Sequence, residues 1–250
     1  MIEIEERDGV AIVKLVHGKA NAMDTEFCAA VTKAFAKLKR SPARAVVLTG
    51  QGGMFSAGVN LIRARDGGPR YIRKFLPVLN KMFDTVFYFP KPVVAAINGH
   101  AIAGGCVLAC CADRRLMARG AGRIGITELL VGLPFPALAF EVMRFVAAPQ
   151  HFPALVYSGA TFVPDEAHGL GLIDEVVEPR ALLDRAIADA RTLAALSPAA
   201  FAVTKRQLRL DITERLKKHG RRIDAAATKI WASEKATETI RDYVARTLGK

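Results

Sequence analysis

The chain has 250 residues, 51% of them hydrophobic, and its 36 Lys and Arg against 24 Asp and Glu give a formal net charge of +12. This length and composition suffice to bury one full α/β core, and the charged start MIEIEERDG lacks the pattern of a secretory signal, so we expect a single cytoplasmic domain. The positive charge makes an anionic partner plausible, but it does not choose among nucleic acid, a membrane and a phosphorylated small molecule.

The first half of the chain alternates between predicted strands and predicted helices. The runs EIEER and VAIVKLV flank the turn residues Asp8 and Gly9 and predict a β-hairpin. Asp24 is a candidate N-cap for the helix TEFCAAVTKAFAKLKR, and the apolar run AVVLTG after it predicts a buried strand. The alternation continues with helix IRKFLPVLNKMFDTVF, strand PVVAAIN, helix GGCVLACC and strand RRLMA. Repeated strand-then-helix units indicate an α/β fold.

The second half is predominantly helical. The prolines in LPFPALAFEVMRFVAAPQHFPALVYSG predict short helices, and LIDEVV, residues 172–177, is the last predicted strand. The helices that follow should break at Ser197-Pro198 and at Gly220. We therefore divide the chain into a core, residues 1–195, and a C-terminal helical region, residues 196–250, which packs on the core or on a neighbouring subunit.

One uncharged segment and four cysteines require an interpretation. The segment Val93–Ala112 is long enough to span a membrane, but Pro92 and internal glycines favour a buried strand, turn and helix, so we expect no membrane span.

The cysteines have neither the CxxC spacing nor a disulfide framework, and we interpret them as buried thiols with no metal site. They are Cys28, Cys106, Cys110 and Cys111.

Two glycine-rich loops each follow a predicted strand. LTGQGGMFSAGVNL, residues 48–61, and INGHAIAGGC, residues 97–106, each end a strand in a turn and then begin a short helix. Two such loops on neighbouring strands would each expose a backbone N–H, and two converging donors form an oxyanion hole. A helix that begins at Gly104 or Gly105 adds its dipole to the same place. The alternative is that the glycines only permit tight turns and close helix packing.

These stretches resemble signatures of the enoyl-CoA hydratase/isomerase, or crotonase, superfamily. FSAGVNL is similar to the first signature, KPVVAAINGHAIAGGCVLACCAD to the second, RIGITELLVGLP to the third, and TFVPDEAHGLGLIDEVV to the segment that follows it. The resemblance covers nearly the whole chain. It implies a crotonase-like spiral of ββα units, a C-terminal helical trimerisation region and frequent pairing of trimers into hexamers. It also implies an acyl-CoA thioester as substrate, with no separate cofactor because coenzyme A is part of the substrate.

The resemblance assigns roles to individual residues. The oxyanion-hole N–H groups fall on Val59 and Gly104, and at Gly104 a missing Cβ would permit close approach of the thioester. In the superfamily the loop matched by Ala20 and Ala22 lies along the adenine and pantetheine. The other substrate-binding positions, beginning with the acyl entrance, are Ser56, Ala57, Gly58, Asn60, Leu61, Gly105 and Val107. Asn60 stands where an aspartate is common.

The carboxylates distinguish the reactions within this superfamily. Its hydratases use two glutamates, one directly after GGC and one in the third signature; here these positions hold Val107 and Glu128. Ile126, Leu129 and Leu130 should surround Glu128 with apolar groups and raise its pKa toward the range useful for proton transfer. A single carboxylate suits a proton shift better than a hydration. We therefore expect a 3,2-trans-enoyl-CoA isomerase of fatty-acid β-oxidation, with Glu128 as the only acid/base.

Three alternatives stay open at this point. The chain could be an enoyl-CoA hydratase, or it could catalyse another crotonase-type thioester reaction. The net charge of +12 also leaves room for a non-catalytic homologue that binds RNA or a protein partner, although no RNA motif supports nucleic-acid binding. We interpret His100 as a loop histidine and Asp113 as a structural residue at a helix end.

Overall fold

In the computed structural model, which describes residues 1–247, ten strands form two sheets surrounded by helices. The strands are β1 (Ile2–Arg7), β2 (Val10–Leu15), β3 (Ala45–Thr49), β4 (Met54–Ser56), β5 (Val93–Ile97), β6 (His100–Ile102), β7 (Arg114–Ala118), β8 (Ile124–Gly125), β9 (Thr161–Phe162) and β10 (Glu175–Val177). The helices are α1 (Thr25–Arg40), α2 (Leu61–Phe87), α3 (Gly104–Cys110), α4 (Ala137–Val146), α5 (Phe152–Ser158), α6 (Pro164–Gly169), α7 (Leu182–Ala194), α8 (Pro198–Leu208), α9 (Leu210–Arg215), α10 (Arg221–Trp231) and α11 (Glu234–Thr247). Glu128–Val131 forms a 3-10 turn and Leu216–Gly220 a π-helical turn.

Three successive segments of the chain repeat one strand-strand-helix pattern. The units β3-β4-α2, β5-β6-α3 and β7-β8-α4 each place one strand in the six-stranded sheet, one strand in the four-stranded sheet, and then a helix. The large sheet has the order β1-β2-β3-β5-β7-β10 and the small sheet the order β4-β6-β8-β9. Within the repeat, neighbouring strands of each sheet pair in parallel. The predicted spiral of ββα units is therefore confirmed.

Both faces of the large sheet are covered, which explains why its central strands are apolar throughout. All five residues of β3 and all five of β5 are buried. One face packs against α1 and α2, and the other packs against α7. Parallel strands between two helical layers present no face to water, so their sequences read as continuous hydrophobic runs. The predicted hairpin of β1 and β2 and the N-cap Asp24 of α1, which accepts from Phe27 N–H at 2.8 Å, are also present.

One expectation from the sequence was wrong, and one strand is shorter than predicted. The helix does not break at Gly220, because α9, the π-helical turn and α10 follow one another without interruption. Gly220 is buried, and the helical turns on both sides of it pack against α4, so the helix continues although an isolated glycine weakens it by about 1 kcal/mol relative to alanine. The predicted last strand is present as β10, although only residues 175–177 of the predicted 172–177 pair with β7, after the Asp174 carboxylate binds Arg115.

Buried charges tie the C-terminal helices to the core. The Asp113 carboxylate, just after α3, accepts from Val93 N–H at 2.8 Å, from Lys205 Nζ at 2.7 Å and from Arg209 at 2.9 Å. The side chains of Lys205 and Arg209 are only 6% and 3% exposed, and burial lowers the pKa of Lys205 to about 8. Asp113 therefore has a structural role, as a shared anion for two buried cations.

The uncharged segment Val93–Ala112 folds as β5, β6 and α3, as the sequence predicts. Among residues 1–247, no single helix is both long and apolar enough to cross a membrane; α7 and α8 reach that length and hydropathy only as a pair bent by 101°. All four cysteines are buried free thiols, which confirms their assignment to the core.

Candidate active site

The three residues with predicted catalytic roles lie at one edge of the small sheet. Val59 follows β4, Gly104 follows β6 and Glu128 follows β8. These strands are parallel neighbours in the order β4-β6-β8, about 4.8 Å apart, so their carboxyl ends meet at one edge. The ββα repeat thus brings the three positions together from separate parts of the sequence, with Gly104 in the middle.

The Val59 N–H points away from Met23, its neighbour on the loop before α1. Met23 and Val59 form an isolated parallel bridge, in which Met23 N–H donates to Gly58 O at 2.7 Å and Asn60 N–H donates to Met23 O at 2.9 Å. In a parallel bridge, the residue between these two bonds turns its own N–H and C=O to the opposite side. Within residues 1–247 the Val59 N–H has no acceptor, and it is available to a ligand.

Gly104 supplies a second available donor beside the first. It is the first residue of α3, where an N–H has no partner within the helix, and α3 has no side-chain cap. The preceding Ala103 has a φ of 50°, which directs the chain into the helix. Gly58 and Gly104 are in close contact, because a Cβ built on Gly58 would lie 2.9 Å from Gly104 N. Two backbone donors this close together suit an oxygen that gains negative charge.

A side chain at Gly105 and a side chain at Gly104 would meet different neighbours. A Cβ on Gly105 would lie 2.2 Å from the carbonyl oxygen of Ser56, so only glycine fits between α3 and the end of β4. A Cβ on Gly104 would meet Met23 Sδ at 3.1 Å and Phe83 at 3.8 Å. The space beside Gly104 is thus bounded by the chain's own side chains, whereas the sequence suggested room for a thioester.

Glu128 is a buried carboxyl group with a free oxygen. It opens the 3-10 turn and is 8% exposed, and its Oε2 has no hydrogen-bond partner within residues 1–247. Burial raises the pKa of Glu128 to about 7, although backbone N–H groups of Glu128 and Thr127 oppose the shift. The carboxyl therefore changes between its acid and base forms near neutral pH.

The apolar surroundings of Glu128 differ from those expected. Leu129 and Leu130 are 41% and 53% exposed and face outward, whereas Ile126 and Val131 are buried. In a 3-10 turn residues three apart share a face, which places Val131 with Glu128 on the inner side. Val107 is fully buried in the first turns of α3. The position that carries a second glutamate in hydratases is therefore apolar here.

The predicted substrate-binding residues lie on two adjoining loops and at the start of α3. Ala20 O accepts from Ala57 N–H at 2.9 Å, which joins the loop before α1 to the loop after β4. The Asn60 side chain caps α2 by accepting from Arg63 N–H at 3.0 Å, so asparagine performs the capping that an aspartate could perform. Of the remaining positions, Ala22 and Gly58 lie on these loops, Ser56 ends β4, Leu61 begins α2, and Gly105 and Val107 lie on α3.

Sequence reasoning missed Asn21 and Met23, which connect the two loops. Both are fully buried, and Asn21 has a φ of 46°. The available signal was an asparagine between two small residues in KANAMD, since asparagine adopts the left-handed region more readily than other non-glycine residues.

Comparisons with known proteins agree with this architecture. The family model described as enoyl-CoA hydratase/isomerase matches residues 5–247. The chain is 33% identical over 213 residues to a putative enoyl-CoA hydratase of Thermus thermophilus, covering 83% of each protein. It is 31% identical over 180 residues to the mouse mitochondrial enoyl-CoA delta isomerase 1, covering 71% of this chain and 62% of that protein. The human mitochondrial delta3-delta2-enoyl-CoA isomerase has the same fold, with a TM-score of 0.94 at 23% identity over 99% of this chain and 98% of that one.

Proposed function

Because the chain belongs to the enoyl-CoA hydratase/isomerase family, we propose that it moves the double bond of a 3-enoyl-CoA to the 2-trans position. In this proposal Glu128 is the single acid/base, and the N–H groups of Val59 and Gly104 form the oxyanion hole. The substrate class, an acyl-CoA thioester, fits the family. The choice between isomerisation and hydration depends on the number of carboxylates in the site.

The oxyanion hole acts on the thioester carbonyl. When a proton leaves C2, negative charge develops on the carbonyl oxygen, and the two backbone N–H groups stabilise it. Each such donor contributes on the order of 10²- to 10³-fold in rate. The donors are fixed by the bridge at Val59 and by the start of α3 at Gly104, so little reorganisation is needed during the reaction.

Glu128 moves the proton. Its ionised carboxylate takes a proton from C2, the electrons of that C–H bond form a C1–C2 double bond, and the existing C3–C4 double bond extends the system to a dienolate. The protonated carboxyl then donates the same proton to C4, which leaves a double bond between C2 and C3. A pKa near 7 suits both steps, because neither form of the carboxyl is strongly disfavoured at neutral pH.

The single observation that carries the choice of isomerisation is the buried Val107 at the position of a second glutamate. Hydration requires a water molecule to be oriented and deprotonated, and Glu128 would have no second carboxylate at this position for that task. Hydration is the second candidate, because the Thermus relative is named a putative enoyl-CoA hydratase.

A paired assay tests the proposal. Purified protein is given 3-enoyl-CoA and 2-trans-enoyl-CoA substrates of several chain lengths, and the conjugated thioester and the 3-hydroxyacyl-CoA product are separated by chromatography. We expect the 3-enoyl substrates to form 2-trans-enoyl-CoA, and Glu128→Gln to abolish this while acyl-CoA still binds. Faster hydration than isomerisation would instead assign the hydratase reaction.

We also propose an oligomeric state, a cell compartment and a pathway for the enzyme. Exposed apolar side chains on the C-terminal helices support a homotrimer or a dimer of trimers: Val203, Leu208, Leu210, Ile223 and Ile230. Sedimentation velocity distinguishes these states from a monomer of 27.0 kDa. The proposed setting is cytoplasmic fatty-acid β-oxidation, with no cofactor besides the coenzyme A of the substrate and no role for nucleic acid.

A further inference from the structure

The loop before α1 holds the loop that carries Val59. Backbone hydrogen bonds join the two loops: Ala57 N–H to Ala20 O at 2.9 Å, Met23 N–H to Gly58 O at 2.7 Å, and Asn60 N–H to Met23 O at 2.9 Å. These bonds fix the chain on both sides of Val59 and leave its own N–H free. The direction of that N–H therefore depends on the segment of residues 20–23.

Peptide geometry makes this dependence direct. The Gly58 C=O and the Val59 N–H belong to one planar trans peptide, so they point in opposite directions. The bond from Met23 N–H to Gly58 O consequently fixes the direction of the Val59 donor. A rotation of this peptide would weaken that bond and turn the donor away from the substrate.

The side-chain amide of Asn21 holds residues 20–23 in place. It is fully buried with a φ of 46°, in the left-handed region. Its side-chain oxygen accepts from His17 N–H at 2.7 Å, and its side-chain nitrogen donates to Leu15 O and to Phe55 O, each at 3.1 Å. The amide thus bridges the end of β2 and strand β4, a connection that another side chain would not reproduce.

Ser56 connects Asn21 to the peptide that carries the donor. Its hydroxyl is fully buried, donates to Asn21 O at 2.7 Å and accepts from Gly58 N–H at 3.2 Å. Gly58 has a φ of 79°, which glycine adopts readily, and the Ser56 hydroxyl anchors its N–H in that conformation. The contact lies one residue before Val59.

We propose that Asn21 and Ser56 are positioning residues of the oxyanion hole, which hold the Gly58–Val59 peptide so that the Val59 N–H points at the thioester oxygen. The inference rests on the proposed function in one respect, namely that a thioester carbonyl occupies the site. Neither side chain contacts the reacting atoms in this account. They act through the backbone.

The test uses two variants and a matched control. Ser56→Ala removes the hydroxyl, and Asn21→Gly removes the amide while keeping a residue that tolerates positive φ. Thr49→Val is the control, because it removes another buried hydroxyl, which donates to Ala96 O at 2.8 Å within the large sheet. Thermal unfolding establishes that each protein is folded, and if Asn21→Gly does not fold, Ser56→Ala alone decides the result.

The main readout is the infrared carbonyl stretch of a bound saturated acyl-CoA labelled with ¹³C at C1, which needs no turnover. In the unmodified protein the stretch should move to lower frequency than in water, because the hole polarises the carbonyl. In Ser56→Ala and Asn21→Gly this shift should shrink, and kcat for isomerisation should fall about 10- to 100-fold with KM within about threefold. The Thr49→Val protein should keep both values.

Each outcome has one meaning. Folded Ser56→Ala protein with an unchanged carbonyl frequency overturns the inference, whether its kcat is retained or reduced. If the unmodified protein shifts the carbonyl frequency but does not isomerise 3-enoyl-CoA, the proposed function is refuted. In that case a smaller shift in Ser56→Ala and Asn21→Gly than in the unmodified protein still supports the inference. Isomerisation without any carbonyl shift in the unmodified protein overturns the inference alone.

Discussion

Replacing Glu128 by glutamine should make the stability of the protein depend less on pH. Burial raises the pKa of Glu128 from 4.5 to about 7. The folded protein therefore holds this proton more tightly than the unfolded chain, and the free energy of unfolding falls as the pH rises from 4.5 to 7. At about 1.4 kcal/mol per pKa unit the loss reaches about 3 kcal/mol and is complete above pH 7. Glutamine does not ionise and avoids this loss.

Urea unfolding of both proteins between pH 4 and pH 8.5 measures the effect. The free energy of unfolding of Glu128→Gln minus that of the unmodified protein should rise by about 3 kcal/mol across this range. Glu238→Gln is the control, because Glu238 is exposed on α11 and its replacement should leave the pH dependence unchanged. A difference for Glu128→Gln that does not vary with pH would refute the raised pKa and the role in proton transfer based on it.

Further predictions concern catalysis, packing and buried charge. The kcat/KM for isomerisation should rise with pH and level off above about 7, because the ionised Glu128 is the base; a profile already flat from pH 5 would argue against it. Gly105→Ala should lower the free energy of unfolding by about 1 to 3 kcal/mol, measured in urea, because its Cβ would meet Ser56 O at 2.2 Å. Asp113→Ala should cost about 3 to 5 kcal/mol in thermal or urea unfolding, because two buried cations lose their shared anion. Val107→Glu should increase hydration of 2-trans-enoyl-CoA in a chromatographic assay, and no increase would mean that a second carboxylate is not what this site lacks for hydration.

The sequence contained enough to place the proposed catalytic positions on the fold. The strand-then-helix alternation is regular, and each of Val59, Gly104 and Glu128 follows a strand in a recognisable stretch. Since parallel strands end at one edge, their convergence follows from the order of the repeat, which the structure has as β4-β6-β8. The burial of the cysteines and the capping of α1 by Asp24 could also be predicted from local pattern.

What could not be predicted depends on contacts between distant segments. Nothing local shows that Leu129 and Leu130 face outward while Glu128 faces inward, since the direction of a 3-10 turn is set by what packs on it. Gly220 is typical of a helix end, but it lies inside the helix because the turns on both sides of it pack against α4. The positive φ of Asn21 likewise depends on partners in β4, which begins more than thirty residues later.

The most direct test of the central claim follows a proton from C2 to C4. A 3-enoyl-CoA deuterated at C2 is incubated with the protein in water enriched in ¹⁸O, and early products are analysed by mass spectrometry and NMR. Because Glu128 is buried and acts alone in this account, 2-trans-enoyl-CoA should form with part of the deuterium at C4 and without ¹⁸O. No conversion of the 3-enoyl-CoA, or early 2-trans-enoyl-CoA with no deuterium at C4, would contradict it.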